Sequence, residues 1–480
     1  MIRPSLLIMA TLGLSLTLTV RAHASPAGYS PAALARSAPA AVGKSRDLEH
    51  IRRTKTLRVL VNQSRNSSGE VNGQLIGAEN VRLQAFAAYL NGHADAAQRI
   101  HLKIIPKPKE QLLAALQRGE GDVAAPGERI DLGNVRGLIA SLPTVAQAPM
   151  VLVGQGGRSL TRIEQLSGLT IALPVGSAAA AALAGVNARL AERRLRPVQI
   201  EWVDPSLAVE DVLEMVHAGI YAYTAVEQPI AERWAKVMPR LRLQRKLALQ
   251  SPGQLHWYTR TDTPQLAATV NRFVDGYSIP ANQDRAFVKA YARLYKVRYP
   301  LASADRRRLE QLRPLLQRTA RQQGMDWLNL AALAFKESAL DPAARGAGGA
   351  AGLLQITPAA ARRVGVGNIQ SADDNVQAGA RYLAMIQRKF FASRKLAERE
   401  RMAFVLAAYN LGPERVQAMR AEARKRGLNP DRWFFQVERV AMEQVGMGPV
   451  SYVNSVNKYY LAFDRERETL EPQGRKLAVR

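Results

Sequence analysis

Glu337 has the residue type and the position best suited to acid–base chemistry in this sequence. One predicted helix carries an apolar stripe at helical spacing, which consists of Leu330, Leu333 and Ala334. Glu337 takes the next place on this stripe, where another leucine would be expected. Burial among apolar side chains raises the pKa of a carboxyl group, which then keeps a proton available near neutral pH. Two structural interpretations stay open: the head of Glu337 reaches water while its stem packs, or the carboxylate pairs with Lys336.

A second carboxylate and a glycine-rich stretch follow Glu337. Asp341 lies four residues further on, but it precedes Pro342, which disfavours helical backbone at Asp341. We therefore interpret Asp341 as a helix-end or turn residue. The stretch 346–349 lacks the lysine and serine that end a phosphate-binding loop, so we exclude that function and expect its small side chains to allow close approach of a chain-like ligand.

Four ordered motifs begin at Glu337. They are Glu337-Ser338, the run Gly-Ala-Ala-Gly-Leu-Leu-Gln-Ile at 349–356, the run Asn-Val-Gln-Ala-Gly-Ala-Arg-Tyr-Leu at 375–383, and the run Ala-Ala-Tyr-Asn-Leu-Gly at 407–412. In type and order they resemble the motifs of the lytic transglycosylase catalytic domain, a family with a goose-type lysozyme-like fold. The resemblance covers roughly residues 305 to 460 and implies an all-helical domain.

The resemblance implies a reaction that uses one carboxyl group. Glu337 would be the sole acid/base: it would protonate the glycosidic oxygen between N-acetylmuramic acid and N-acetylglucosamine, then deprotonate the muramyl C6 hydroxyl. The product would be a 1,6-anhydromuramyl end, formed without water, on a peptidoglycan glycan strand. One group serves both steps because it recovers in the second the proton that it gives in the first.

The resemblance also assigns supporting residues by position. The implied substrate-binding residues are Ser338, Gln355, Tyr409, Asn410 and Tyr452. Leu354 stands where the family's Gly-Leu-Met-Gln motif has methionine, a change that conserves volume. Before Tyr452, Gly448-Pro449 stands about where many members have glutamate and threonine.

The first half of the chain alternates predicted strands and helices, which is typical of parallel α/β layers. The pattern predicts a strand where Leu57, Val59 and Val61 alternate, a helix with Val81, Ala85, Ala88 and Tyr89 on one face, and a helix over 212–216 that stops at Gly219. Residues 55 to 275 resemble the family-three extracellular solute-binding proteins, which implies two lobes and a small amino-acid or muropeptide ligand. Such proteins typically hold a ligand carboxylate with an arginine. Arg136 lies in about the right region, although a surface arginine is the commoner interpretation of such a residue.

The predicted fold class is α/β plus all-α: a bilobed solute-binding-protein-like domain followed by a helical lysozyme-like domain. The predicted order is a signal peptide at 1–24, a flexible leader at 25–49, the α/β domain at 50–280, a helical linker at 281–304, the catalytic domain at 305–464 and a charged tail at 465–480. The signal is predicted from Arg3, an apolar run and the small residues that end at Ala24.

The amino-acid composition limits the classes of partner and the kinds of site that this protein can have. A net charge of +27 favours anionic polymers, and the absence of cysteine excludes disulfides, thiolate metal sites and cysteine nucleophiles. The predicted export signal makes the carboxylate-rich cell wall a better partner than nucleic acid. We expect no cofactor and no metal, a periplasmic location, and peripheral association with a membrane surface, the outer membrane being the candidate.

Two other functions stay open at this stage. The helical domain of a solute-binding or sensor protein would no longer cleave glycan, and a hydrolytic lysozyme of the same fold would leave hydrated reducing ends. Analysis of the products from purified sacculi separates these functions from a transglycosylase.

Overall fold

The computed structural model describes residues 46–64, 69–71, 74–92, 94–130, 136–156 and 159–471. The predicted signal peptide lies outside the described residues, as do most of the predicted leader and residues 472–480 of the predicted tail. Within the described residues, no helix combines the length and the apolar character that crossing a membrane requires.

The strands lie in the first half of the chain. Their bounds are Thr56–Asn62 (β1), Gly69–Val71 (β2), Gln74–Ile76 (β3), His101–Lys107 (β4), Val123–Ala125 (β5), Leu138–Ala140 (β6), Val145–Gln155 (β7), Thr170–Leu173 (β8), Gln199–Trp202 (β9), Tyr223–Glu227 (β10), Leu241–Leu255 (β11) and Tyr258–Arg260 (β12).

Helices alternate with these strands and then dominate. Their bounds are Leu48–Thr54 (α1), Ala78–Asn91 (α2), Leu112–Gln117 (α3), Ala179–Glu192 (α4), Val209–Ala218 (α5), Gln228–Ala235 (α6), Pro264–Gly276 (α7), Gln283–Tyr291 (α8), Ser303–Gln323 (α9), Trp327–Ser338 (α10), Pro358–Arg363 (α11), Ala372–Phe390 (α12), Glu398–Leu411 (α13), Pro413–Lys425 (α14), Glu438–Val445 (α15), Met447–Arg465 (α16) and Arg467–Leu470 (α17).

Two five-stranded sheets form the α/β half, one in each lobe. Lobe 1 has the order β4-β1-β5-β12-β6, in which β1 runs parallel to β4 and β5 while β12 runs antiparallel to β5 and β6. Lobe 2 has the order β11-β7-β10-β8-β9, with β8 parallel to β9 and β10, and β7 antiparallel to β10 and β11. The predicted bilobed α/β domain followed by a helical domain is confirmed.

Apolar residues cover both faces of the sheet in lobe 1. One face packs against α2 and α7 through Phe86 and Phe273, and the other packs against α3 through Leu112 and Leu116. On α2 the predicted apolar face is wrong. Tyr89 is exposed, because the helix instead turns Glu79 and Arg82 inward as an ion pair.

Lobe 2 shares a hydrophobic core with the helical domain. Val212, Met215 and Trp234 of lobe 2 belong to the same continuous cluster as Leu316 and Leu333 of the helical domain, whereas the core of lobe 1 is separate. Since apolar burial is the dominant favourable term in packing, lobe 2 and the helical domain form one packed body.

The last described residues are ordered. Residues 465–471, predicted to begin a charged tail, are largely helical: α16 runs to Arg465, α17 follows, and Leu470 is buried. The guanidinium group of Arg467 pairs with Asp326 at 2.5 Å, and this contact ties α17 to the N-terminus of α10.

Candidate active site

Helix α10 positions Glu337. Asp326 caps the helix by accepting a hydrogen bond from the Leu328 N–H at 3.0 Å, and Leu333 and Ala334 are fully buried. The helix ends because Ala339 takes a left-handed conformation with φ 55°. Glu337 therefore lies in the last turn, where the apolar stripe meets the surface, and its side chain is half-buried.

The Glu337 carboxyl group is perturbed as the sequence predicts. Burial raises its pKa, and two opposing effects, the Tyr452 hydroxyl and the positive charge of Lys336, offset this only in part. The Tyr452 hydroxyl donates to Glu337 Oε1 at 2.5 Å. Tyr452 is buried on α16 and its own pKa lies well above the ordinary value, so it stays a donor at neutral pH.

Tyr409 lies near enough to the same carboxyl group to interact with its charge. Its ring packs edge-on against Tyr382 with centroids 5.7 Å apart, and its hydroxyl donates to the Leu354 carbonyl oxygen at 2.8 Å. Burial raises the pKa of Tyr409 well above its usual value, and the negative charge of Glu337 adds to this effect. The structure thus brings Tyr409 and Tyr452 together around Glu337.

The turn at 351–356, which we call the glutamine turn, forms the next part of the site. The hydroxyl group of Ser338 lies 2.9 Å from the Ala334 carbonyl and 3.0 Å from the Leu353 carbonyl, so it links α10 to this turn. Gln355 has φ 45°, and its side-chain nitrogen donates to the Ala344 and Gly352 carbonyls.

Two further residues position the glutamine turn, and sequence reasoning assigned neither a role. Asn375, with 0% of its surface exposed, accepts from the Leu354 N–H at 3.0 Å and donates to the Ala351 carbonyl at 2.7 Å. A Cβ atom placed on Gly379 would lie 2.3 Å from Leu354 Cδ1, so only glycine allows this approach of α12. The sequence did contain a signal for both residues, because they belong to the motif at 375–383.

Other predicted site residues lie apart from this arrangement. Asn410 is exposed at the end of α13. Asp341 is exposed and accepts from the Ala343 N–H at 2.9 Å, so it acts as the predicted turn residue. In lobe 1, Arg136 is exposed and its carbonyl oxygen accepts from Gln117.

A second half-buried carboxyl group supports the helical domain. Glu400 accepts from the Trp433 N–H at 2.7 Å and from the Phe434 N–H at 3.3 Å. Burial raises the pKa of Glu400 to about 7, although both N–H groups oppose the shift. Glu400 therefore holds the irregular segment at 433–437, which carries a left-handed Phe435 at φ 62°.

An ion cluster joins α16 to lobe 2. The Lys458 ammonium group lies 2.5 Å from both Asp211 Oδ1 and Glu214 Oε2, and all three side chains are buried. The second Glu214 oxygen accepts from the Val297 N–H at 2.9 Å. The helix that carries Tyr452 is thus fixed by charge as well as by the shared core.

The described residues hold no cluster of three or more histidine, aspartate and glutamate side chains with the arrangement of a metal site. What the site offers is one half-buried carboxyl group, one tyrosine hydroxyl that binds it, and a largely buried turn whose backbone carbonyls accept from Ser338, Gln355 and Tyr409.

Residues 314–431 match the family described as Transglycosylase SLT domain. The predicted resemblance is confirmed. The match contains Glu337, Ser338, Gln355, Tyr409 and Asn410 and ends before Tyr452, whose place in the site comes from the structure.

Three relatives that match over most of the chain are named membrane-bound lytic murein transglycosylase F. The one from Desulfosudis oleivorans is 25% identical over 397 residues, which cover 80% of this chain and 81% of the relative. The one from Salmonella choleraesuis is 26% identical over 449 residues, covering 88% and 83%. That from Ectopseudomonas mendocina is 26% identical over 370 residues, covering 73% and 74%.

Solved structures that are similar over about half of this chain include two ancestral binding proteins. An ancestral amino acid-binding protein, a precursor of cyclohexadienyl dehydratase, is 17% identical with a TM-score of 0.37, covering 51% of this chain and 99% of that chain. An ancestral arginine-binding protein bound to arginine is 18% identical with a TM-score of 0.38, covering 49% and 98%.

Proposed function

We propose that this protein is a lytic transglycosylase that cleaves the bond between N-acetylmuramic acid and N-acetylglucosamine in peptidoglycan and leaves 1,6-anhydromuramyl ends. The observation that carries the proposal is the half-buried Glu337 carboxyl group, raised in pKa and bound by Tyr452. The SLT domain match and the names of the relatives support the same activity.

The chemistry requires one proton to leave Glu337 and return. Protonated Glu337 gives its proton to the glycosidic oxygen as the bond from that oxygen to the muramyl C1 breaks, and N-acetylglucosamine leaves with a hydroxyl group. The muramyl C6 hydroxyl then attacks C1, the new C6–O–C1 bond closes the anhydro ring, and Glu337 recovers a proton. Tyr452 occupies Oε1, so Oε2 is the oxygen that faces the substrate.

The supporting residues divide into two groups in this proposal. Tyr452 tunes the carboxyl group directly, and Tyr409 fixes the glutamine turn by its hydrogen bond to the Leu354 carbonyl oxygen. Ser338 and Gln355 use their polar groups on backbone carbonyls, so we propose that they shape the glutamine turn against which the sugar binds. We propose that Asn410, which is exposed at the end of α13, binds the N-acetyl group of the substrate.

Substitution of Glu337 tests the proposal. Glu337→Gln keeps the shape and removes the acid, so release of anhydromuramyl ends from purified sacculi should fall by about 10²–10⁴-fold while the fold survives. Asp341→Asn, which changes an exposed carboxylate four residues away, is the matched control and should keep activity. Undiminished cleavage by Glu337→Gln contradicts the assignment. If the wild-type protein leaves hydrated reducing ends, it is a lysozyme, and if it leaves the glycan intact, it is a protein that only binds.

We further propose the division of labour predicted from the sequence, with the module at 50–280, the linker at 281–304 and the catalytic domain at 305–464. The module would localise the catalytic domain or sense a ligand. An amino acid or muropeptide would enter the crevice between the lobes only by displacing the side chains that now fill it. We propose an exported, periplasmic protein held near the wall by its charge of +27, and near the outer membrane by peripheral contact.

A further inference from the structure

A buried charge cluster fills the crevice between the two lobes. Its members, which we call the crevice cluster, are Asn62, Lys109, Glu128, Arg129 and Glu227. Four of these residues end or follow the parallel strands β1, β4 and β5 of lobe 1, and Glu227 ends β10 of lobe 2. Ligands of open α/β sheets bind beyond the carboxyl ends of the strands, so this cluster stands where a ligand would bind.

The centre of the cluster is an ammonium group held by a carboxylate. Lys109 Nζ lies 2.7 Å from Glu128 Oε2, and Asn62 donates to the other Glu128 oxygen at 2.8 Å. Lys109 is 8% exposed, Glu128 7% and Glu227 2%. Burial alone would lower the pKa of Lys109, but the charges of Glu128 and Glu227 outweigh it and raise the pKa, so the lysine stays an ammonium group.

The two lobes touch around this cluster. The Arg129 N–H of lobe 1 donates to Glu227 Oε1 of lobe 2 at 2.7 Å, and its guanidinium group donates to Gln250 at 3.0 Å. Ser64 of lobe 1 donates to the Glu210 carboxylate of lobe 2 at 3.0 Å. The lobes are therefore closed over the crevice.

We propose that the crevice is an ammonium-binding site whose occupant is the protein's own Lys109, so that the lobes close without a solute. The buried Glu128 carboxylate requires a cation, since an unpaired buried charge is strongly unfavourable, and Glu227 adds to this need to the extent that it ionises, although burial raises its pKa. A lysine head meets this need as a compact charge with three donors. A primary ammonium group of another molecule fits the site only when the Lys109 head is absent. This proposal does not depend on the transglycosylase activity.

Chemical rescue tests the proposal on the full-length protein. Lys109→Ala deletes three methylene groups and the ammonium group, which are the atoms that n-propylammonium supplies. The variant should lose thermal stability, and n-propylammonium chloride should raise its Tm with the logarithm of concentration, as expected for binding to the folded state. n-Propanol and sodium chloride at equal concentrations should not restore it. Wild type and Lys103→Ala, which changes an exposed lysine on β4, should not respond to the amine.

Three results would overturn the proposal. The first is a Lys109→Ala variant with the wild-type Tm, and the second is a destabilised variant that ignores n-propylammonium. The third is a wild-type Tm that rises with free amino acids, which would mean that the crevice is open to solutes. If Lys109→Ala does not fold, Lys109→Met combined with Glu128→Gln and Glu227→Gln removes the unpaired charges. Folding restored in that triple variant supports the proposal, and failure to restore it contradicts the pairing.

Discussion

Replacing Tyr452 by phenylalanine should raise the pKa of Glu337 and shift the pH dependence of cleavage. The Tyr452 hydroxyl donates to Glu337 Oε1 at 2.5 Å and favours the ionised carboxylate, against the burial that raises the pKa. A hydrogen bond to a charged group contributes about 1.5–3 kcal/mol. Since one pKa unit corresponds to about 1.4 kcal/mol, losing this bond should raise the pKa of Glu337 by about 1–2 units.

The shift should appear on the alkaline side of the pH profile. Glu337 must carry a proton to begin the reaction, so kcat/KM falls as pH rises through the pKa of the free enzyme. In Tyr452→Phe this fall should move to higher pH by about 1–2 units. The assay is the release of 1,6-anhydromuramyl products from purified sacculi, quantified by mass spectrometry across the pH range.

Tyr459→Phe is the matched control for this experiment. Tyr459 is buried on the same helix and packs edge-on against Phe335, with ring centroids 4.7 Å apart. Tyr459→Phe should leave unchanged the pH at which kcat/KM falls on the alkaline side. If Tyr452→Phe does so too, the hydroxyl group does not act on the carboxyl group and the argument from the structure fails.

Three other substitutions test the supporting structure. Glu400 has a folded pKa of about 7 against an ordinary 4.5, so its protonation stabilises the wild type as pH falls through this window. Glu400→Gln has no proton to take up and should lack this gain in stability. In denaturant titrations, the unfolding free energy of the wild type should therefore rise by about 3 kcal/mol relative to that of Glu400→Gln between pH 7 and pH 4.5. Lys458→Met removes the ammonium group that the buried Asp211 and Glu214 carboxylates share, and should cost about 3–5 kcal/mol in the same assay. Lys296→Met, which changes an exposed lysine, should cost little. Gly379→Ala forces Leu354 away from α12 and should lower the free energy of unfolding by about 1–3 kcal/mol. An unchanged Tm would show that the glutamine turn accommodates the added methyl group without loss of stability.

Much of the architecture could be predicted because its signals are local. Alternation at Leu57, Val59 and Val61 predicts β1, and Gly219 ends α5 with φ 83° where the pattern placed a stop. The perturbed carboxyl group was predictable for the same reason, since helical spacing alone puts Glu337 on the apolar stripe of α10.

Partners distant in the chain could not be predicted in this way. Tyr452 lies 115 residues from Glu337, and Lys458 lies 244 residues from Glu214. Hydrophobic periodicity says which face of an element is buried, but not which element covers it. The same limit explains the error on α2, where Trp257, 178 residues away, donates to the buried Glu79.

The sequence by itself determined the order of α/β lobes and helical domain, the resemblance to the transglycosylase motifs, and the one carboxyl group suited to donate a proton. Only the tertiary structure decided that Tyr452 binds this group, that lobe 2 and the helical domain share one core, and that Lys109 fills the crevice between the lobes. The reason is physical: propensity and periodicity act within a few residues, whereas burial and charge pairing depend on which distant surfaces meet.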